Sequence, residues 1–487
     1  MLRWLRQFLP ARRTEPSQTV FQTLRLIKAK YDAAATTDEN RRHWRNADDL
    51  SANAANNAEV RRLLRIRSRY EVANNSYAKG LVLTLAHDTV GTGPRLQMLT
   101  PDNNVNRRLE QEFSQWCRNV RLAEKLRTMH MARAADGEAF ALLTDNQALP
   151  SAIKLDVQLI ECDQITTPDL SLKALRAIDG IRFDGDGNPV EFHILRDHPG
   201  DPQAGIGFKY DRVPARNVIH YYRADRPGQA RGIPDITPAL PLFAHLRRYT
   251  LAVITAAEIA ALPGGVLYTD APANGEAESV EPMDLIELER GMLMTMPGGW
   301  KVSQIQAQFP TTTYGEFKRE ILGEIGRCLL VPVNVLTGDS SRHNYASGRL
   351  DHQTYFKSIR VEQSHLEAIV MDRVLEAWLA EAAMVPGLLP KSVRPSLTQR
   401  TWMWDGTSHV DPLKEANAQA VRLASFTTTL ADEYARMGLD WETQIRQRAK
   451  ELALLNELGL TPESTVIDEE EPDAENQPQN RDTVAAT

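Results

Sequence analysis

The chain has 487 residues, with 57 Lys+Arg against 64 Asp+Glu, a net charge of −7, and 42% hydrophobic residues. The acid excess is local: residues 461–487 hold eight acids and one base, so the remainder is close to neutral. This excludes an overall basic nucleic-acid binder and a highly acidic disordered chain, and the length predicts about three domain-sized units.

Cys117, Cys162 and Cys328 lie far apart, which gives no disulfide framework and no CxxC pair for a metal; they read as buried thiols in a reducing cytoplasm. Charge interrupts Met1–Arg6 too early for a secretory segment, and Pro10 ends the run. The most apolar stretch, 250–262, is about 13 residues long, contains Glu258 and stops at Pro263, well short of the ~20 a bilayer requires. No membrane is expected.

Taken in chain order, Arg61, Arg62, Arg65, Arg67 and Arg69 crowd into one helical pattern. The expectation is a solvated face or a surface between subunits, with phosphate contact as the alternative. Helical pattern continues over 71–95 and breaks at Val90-Gly91-Thr92-Gly93-Pro94, and apolar positions from Leu109 to Leu126 predict a helix over 105–133. Beyond Asp136-Gly137-Glu138, short runs at 139–144, 157–161, 190–196 and 218–223 predict a β-rich region. Its clearest hairpin turn is Asp184-Gly185-Asp186-Gly187-Asn188-Pro189. Calcium is rejected there, because the twelfth position of an EF-hand loop counted from Asp184 is Leu195 rather than Glu.

From Pro234 the pattern predicts a helix over 237–262, then a small hairpin from Met292–Met296 through Pro297-Gly298-Gly299 to residues 300–305. A helix over 314–330 stops before Val331-Pro332. The polar, glycine-bounded stretch 337–348 predicts a loop, and Leu350, Phe356, Ile359, Leu366, Val370, Val374 and Trp378 predict a helix of ~35 residues behind it. More amphipathic helix is expected over 412–459, and disorder over 461–487.

Catalytic signatures are missing: the chain has no phosphate-binding loop with its Lys-Ser/Thr pair, no HExxH, no GxSxG and no GxGxxG after a strand. Asp136 and Glu138 with Glu316 and Lys318 imitate the acidic and basic groups of a metal-dependent nuclease, but the spacing is loose, and turn acids on an exposed helix face are the preferred reading. Ser341, His343 and Ser347 offer a nucleophile and a base, yet a stretch of Ser, Asn and Gly reads first as a flexible loop. No catalytic residue, metal or cofactor is expected.

The order of parts resembles the lambda-like family of bacteriophage portal proteins. The resemblance rests on Trp44 with the Asp-, Asn- and Ala-rich stretch after it, Arg65–Tyr70, Asn74-Asn75, Val90–Gly93, Asp136-Gly137-Glu138 and Arg226–Pro234. It continues through Glu324-Ile325, Val331-Pro332, Tyr345-Ala346-Ser347, Trp402 and Asp411–Ala416. It implies an α+β, mainly helical portal-type fold with wing, stem, clip and crown regions that assembles into a ring of about twelve copies. The implied regions are a wing over 1–233, a first stem helix over 234–263, a clip over 264–312 and a second stem helix over 313–332. They continue with a tunnel loop over 333–348, a long helix over 349–384, a crown-side helical region over 385–460 and a disordered acidic tail over 461–487.

The implied function is a channel at one capsid vertex through which double-stranded DNA is packaged and ejected. Its partners would be the large terminase subunit, the major capsid or scaffold protein and head–tail connector proteins. Its location would be the virion, with the host cytoplasm during assembly. Ser341, Arg342, His343, Asn344 and Tyr345 would face the DNA, with Gly338 and Gly348 as loop hinges. The rival readings are a metal-dependent nuclease or other packaging-associated enzyme, and a different tail or capsid scaffold subunit.

Overall fold

The computed structural model describes residues 37–167, 177–202, 209–261, 265–269, 300–304, 313–342, 344–389, 399–406 and 412–460. The Met292–Met296 run, His343 and the acidic tail lie outside them.

Side-chain caps divide the first helical pattern. Ser51 starts α1 (Ala52–Ala55), and Asn57 starts α2 (Ala58–Asn74) by accepting from the N–H groups of Glu59 and Val60. Asn75, extended at φ −119°, ends α2 and caps α3 (Ser76–Val90). Such a side chain satisfies N–H groups that a helix start leaves bare, so one Asn turns a continuous pattern into two rods. After β1 (Arg95–Met98), the expected single helix is likewise two, α4 (Asn103–Asn119) and α5 (Leu122–Asp136), broken at Arg121 with φ 52°. Val120 and Leu122 are both buried across the break, which is why apolar spacing ran through it.

The β-rich region holds two antiparallel sheets. In the first, β2 (Glu138–Asp145) lies between β3 (Leu155–Ile160) and β8 (Val218–Tyr222). The second is a meander of β4 (Ala177–Ile178), β5 (Ile181–Phe183), β6 (Pro189–Leu195) and β7 (Tyr210–Pro214). Its β5–β6 connection is the hairpin the sequence predicts: Asp184 Oδ1 accepts from Asp186 N–H at 2.9 Å and Asn188 N–H at 2.8 Å, while Gly187 takes φ 89°.

Downstream lies α6 (Leu240–Ala261), after which β9 (Gly265–Thr269) pairs antiparallel with β10 (Trp300–Gln304). The Met292–Met296 run expected to form a hairpin with 300–305 lies outside the described residues; the pairing described for β10 is with β9, just after α6. Next come α7 (Tyr314–Arg327), α8 (Val333–Thr337) and α9 (Tyr345–Leu366). A π-helical turn over Glu367–Met371 joins α9 to α10 (Asp372–Ala382). β11 (Arg400–Met403) closes on β1, and α11 (Pro412–Ala424), α12 (Leu430–Arg436) and α13 (Trp441–Glu457) complete the described chain.

Among the described residues the apolar interior falls into three clusters. In the first, Phe113 meets Trp378 edge-on at 5.3 Å and Trp402 at 5.9 Å, and Trp116 donates to Leu155 O at 2.8 Å so that its indole is buried without an orphaned N–H. The second gathers α3, α6, α7, α8 and α9 through residues such as Leu81, Phe243, Ile325, Leu336 and Tyr355. The third packs Phe140 against the meander through Phe192 and Ile181.

At the entry to β2 two backbones cross with no room for side chains. Gly137 takes φ 92°, and a Cβ there would fall 2.5 Å from the Ile233 carbonyl carbon; a Cβ on Gly232 would collide with the Gly137 carbonyl. Gly232→Ala is therefore expected to cost more than about 2 kcal/mol and lower the apparent melting temperature by several degrees. Gly80→Ala, on an exposed helical site with open space around it, should be neutral or stabilising by about 0.5–1 kcal/mol. Differential scanning fluorimetry of the two variants checks the contrast.

Candidate functional site

The segment that links α8 to α9 is short, polar and exposed wherever it is described. Gly338 ends α8 in the left-handed region at φ 68°, where glycine pays no Cβ penalty. Ser341 N–H donates to Asp339 Oδ1 at 2.9 Å, forming a turn that presents Ser341 and Arg342 to solvent. The Ser341 hydroxyl, its backbone N–H and then Arg319 and Arg342 hold the Asp339 carboxyl below the ordinary range. Asn344 is a helix cap: it accepts from Ser347 N–H at 2.8 Å, and Ser347 Oγ accepts from Asn344 N–H at 3.2 Å. This reciprocal box fixes the first turn of α9.

The sequence places the loop boundary and a hinge at Gly348. The helix instead begins at Tyr345, and Gly348 sits inside its first turn, donating to Asn344 O at 3.0 Å. Of the remaining expected residues, His343 lies outside the described residues, and of Tyr345 only the backbone position at the helix start is described. The loop stands on a firm base. Buried Asn334 contacts His352 Nε2 at 3.1 Å across it, and Tyr355 donates to Asp88 Oδ2 at 2.7 Å.

The arginines of α2 correct a second expectation. Arg61 and Arg65, one turn apart, are buried, and Arg69 lies half-buried a turn further on; only Arg62 and Arg67 face outward. Their target is a set of carboxylates on the β-rich region. Glu138, fully buried, accepts from Arg65, from Arg231 Nη2 at 2.7 Å, from His220 Nε2 at 2.8 Å and from Gly232 N–H at 3.0 Å. Arg61 pairs with Asp179, and Arg69 bonds Asp136 at 2.6 Å and Asp163 at 2.7 Å. Burial alone would raise the Glu138 carboxyl; Arg231, with His220 and Arg65, outweighs it and holds Glu138 well below the ordinary carboxylate range.

These contacts dismantle the nuclease constellation. Asp136 and Glu138 are saturated by guanidinium groups, and Lys318 lies over the rings of Tyr77 and Tyr314 at 5.1 and 5.6 Å. Glu161, Asp163 and His198 do bring one ligand atom each to within 4.8 Å of one another. Arg69 already pairs with both acids, at 3.4 and 2.7 Å, and His198 Nδ1 accepts from Gly200 N–H at 3.0 Å. In the neutral ring that leaves the proton on Nε2, the atom a metal would have to take. The donor set fits an ion-pair cluster and not a metal.

The model for phage portal proteins of the lambda family matches residues 37–363, and the chain belongs to that family. It is a family of structural capsid components rather than enzymes. The chain is 25% identical over 447 residues to a probable portal protein of Halomonas phage phiHAP-1, covering 85% of each chain. Among solved structures it is similar to a chain from the neck of the empty GTA particle computed with C6 symmetry, with 15% identity, 75% of this chain and 91% of that chain covered, and a TM-score of 0.47. A chain from the virion of the native gene transfer agent particle gives 14% identity, 77% and 93% coverage, and a TM-score of 0.46.

Two tests follow from the site. Glu138→Gln leaves buried Arg65 and Arg231 only their longer pairs with Asp163 at 3.3 Å and Asp179 at 3.2 Å, so it should cost about 3 kcal/mol. Because the folded pKa of Glu138 lies below its unfolded value near 4.5, its contribution is complete above that pH and is lost as pH falls through the folded value. The variant's urea midpoint should therefore be lower than the parent's at pH 7, and the gap should narrow at strongly acidic pH. Asn344→Ala should cost about 1 kcal/mol through loss of the cap, read as faster amide exchange confined to the first turn of α9.

Proposed function

We propose that the chain is the repeating subunit of a ring-shaped channel at one capsid vertex, through which double-stranded DNA enters during packaging and leaves at ejection. In this reading residues 1–233 form the wing, 234–263 and 313–332 the stem helices, 264–312 the clip and 385–460 the crown side. The large terminase subunit and the head–tail connector proteins dock on the ring, and the major capsid or scaffold protein surrounds it. The protein resides in the virion and passes through the host cytoplasm during assembly.

The observation that carries the channel role is the exposed Gly338–Asn344 loop with Arg342 at its tip, mounted on the packed α7–α8–α9 base. Among the described residues Arg342 forms no ion pair within bonding distance, so its charge is available to a passing phosphate. A duplex that must slide cannot be gripped, because every fixed phosphate contact adds counterion-release affinity. One cation per subunit, repeated around a closed ring, touches the backbone repeatedly without holding it.

Apolar side chains left exposed on the single subunit support ring closure. Leu251 and Ile254 on α6, Phe317 on α7 and Leu350 and Val361 on α9 are all exposed, on the helices that would line neighbouring subunits.

Gly338→Ala is a clean probe, since a Cβ there meets nothing within 4 Å and only the left-handed backbone is penalised, by about 1–2 kcal/mol. Rings of the variant should assemble and appear normal by electron microscopy while packaging of DNA into proheads falls. Arg342→Glu should do the same more severely by repelling phosphate. Normal packaging by both variants, or purified parent protein that stays monomeric and never forms a ring with an open bore, defeats the proposal.

A further inference from the structure

A cavity of about 1290 Å³ lies between α4, the start of α5 and α13, away from the α8–α9 loop. Its lining includes apolar Phe113, Leu122 and Met403, and its charged lining is lopsided. Arg95, Arg107, Arg118, Arg121, Arg446 and Lys450 stand against Glu110, Glu124 and Asp440. Arg95, Arg121 and Arg446 make long pairs with Asp405, Glu124 and Glu442 at 3.6, 3.4 and 3.7 Å, and the other three have no acid partner among the described residues. Arg107 bonds Asn104 at 3.3 Å, Arg118 bonds Ser114 at 3.0 Å and Gln115 at 2.7 Å, and Lys450 has no ion pair among the described residues.

The acids gather at one place. Gln97 donates to Asp440 at 3.1 Å, and the next residue, Met98, donates its N–H to Glu110 at 2.7 Å. Burial, joined by Asp440 and Glu442, pushes the Glu110 carboxyl up to about 7, so near neutrality part of even this small acidic contribution is discharged. Beyond that point the lining of each helix turns positive, through Ser114 to Arg118 on α4 and through Thr443 to Arg446 and Lys450 on α13. No residue of α13 is buried, so this wall of the cavity lacks a cover.

An occupant must bring a short apolar element followed by several carboxylates. The chain supplies one. Val466-Ile467 is followed directly by Asp468-Glu469-Glu470-Glu471, in a segment of eight acids and one base. Reach is sufficient: from Lys450 to Leu460 is about 15 Å at helical rise, and the residues from Leu460 to Val466 span up to about 20 Å when extended. α13 also ends in a turn that leads the chain off its axis, with Gly459 at φ 70° and Leu460 N–H on Leu455 O at 2.8 Å.

We propose that the acidic segment 461–487 folds back onto this cavity in its own subunit, seating Val466-Ile467 against Phe113, Leu122 and Met403 and setting Asp468–Glu471 against Arg118, Arg446 and Lys450. The segment then shields a cationic face from other polyanions, duplex DNA included. This inference stands apart from the channel reading, because it concerns a surface the α8–α9 loop does not touch.

The test compares the full chain with one stopped after Leu460. Carbodiimide treatment of a mixture of isotopically light and heavy full chains should join Asp468–Glu471 to Lys450 within single chains. Amides of residues 107–121 and 443–450 should exchange about tenfold faster once the tail is gone. Arg118→Glu combined with Arg446→Glu, both exposed and outside the core clusters, should abolish the cross-link in a chain that keeps the parent's melting temperature, and reversing Asp468–Glu471 to lysine in that background should restore the fast-to-slow exchange difference. A 20-base-pair duplex should bind the stopped chain more tightly than the full chain. Equal exchange with and without the tail, cross-links that join only different chains, or equal duplex affinity for the two forms would overturn the proposal, the last by marking the cavity as a nucleic-acid surface that the tail does not cover.

Discussion

The fold turns on one buried carboxylate. Glu138 receives Arg65 from α2, Arg231 and Gly232 from the segment leading to α6, and His220 from β8, all while itself fully buried on β2. A lone charge in that position would be expelled by its desolvation cost, and a lone arginine equally so; only their mutual saturation makes the site habitable. The junction therefore ties together parts of the chain that lie far apart in sequence, and it does so with directional bonds that admit one arrangement. Apolar packing of the third cluster behind Phe140 adds area but no such selectivity.

From this junction the rest of the helical body is set out by two different interiors along one rod. Tyr355 and Ile359 of α9 lie in the second cluster, while Leu366, Val370, Val374 and Trp378 lie in the first. The change of partner falls between Ile359 and Leu366, just before the π-helical turn over Glu367–Met371. That turn shifts the phase of the helix where the rod already faces the first cluster. Trp404 Nε1 donates to Glu367 Oε1 at 2.5 Å, and Trp402 Nε1 to Asp372 Oδ1 at 2.9 Å, so β11 and the residue that follows it bond both ends of the irregularity.

How much of this was legible in the sequence depended on the range of the force involved. The β5–β6 hairpin, the strands around it and the long helix were readable because Gly187, Asp184 and the apolar spacing act within a few residues. The division at Asn75 was missed although Asn is a strong cap, since apolar period on both sides outvoted it. β1 with β11, and β10 with β9, pair across long stretches of sequence, and such a pairing leaves no local mark. At the loop, Gly338 takes the left-handed conformation a glycine allows, and the spacing of Asn344 to Ser347, that of a capping box, was present in the sequence but not read as one. The arginines of α2 were misplaced for the same reason, because their carboxylates sit some 70 to 120 residues downstream.

That misplacement alters the electrostatic argument for a conduit. A body can be near-neutral because cations are scarce, or because acids pair with them. Here the second holds: Arg61, Arg65, Arg133 and Arg231 are all buried and all paired with acids. Arg133 spans from Asp235 to Glu362 on α9, carrying the same device to the long helix. Guanidinium groups paired in this way are withdrawn from the surface, where they would bind phosphate. The cations left on the surface, Arg342 on the α8–α9 loop and Arg118, Arg446 and Lys450 around the α4–α13 cavity among them, lie apart from these buried pairs.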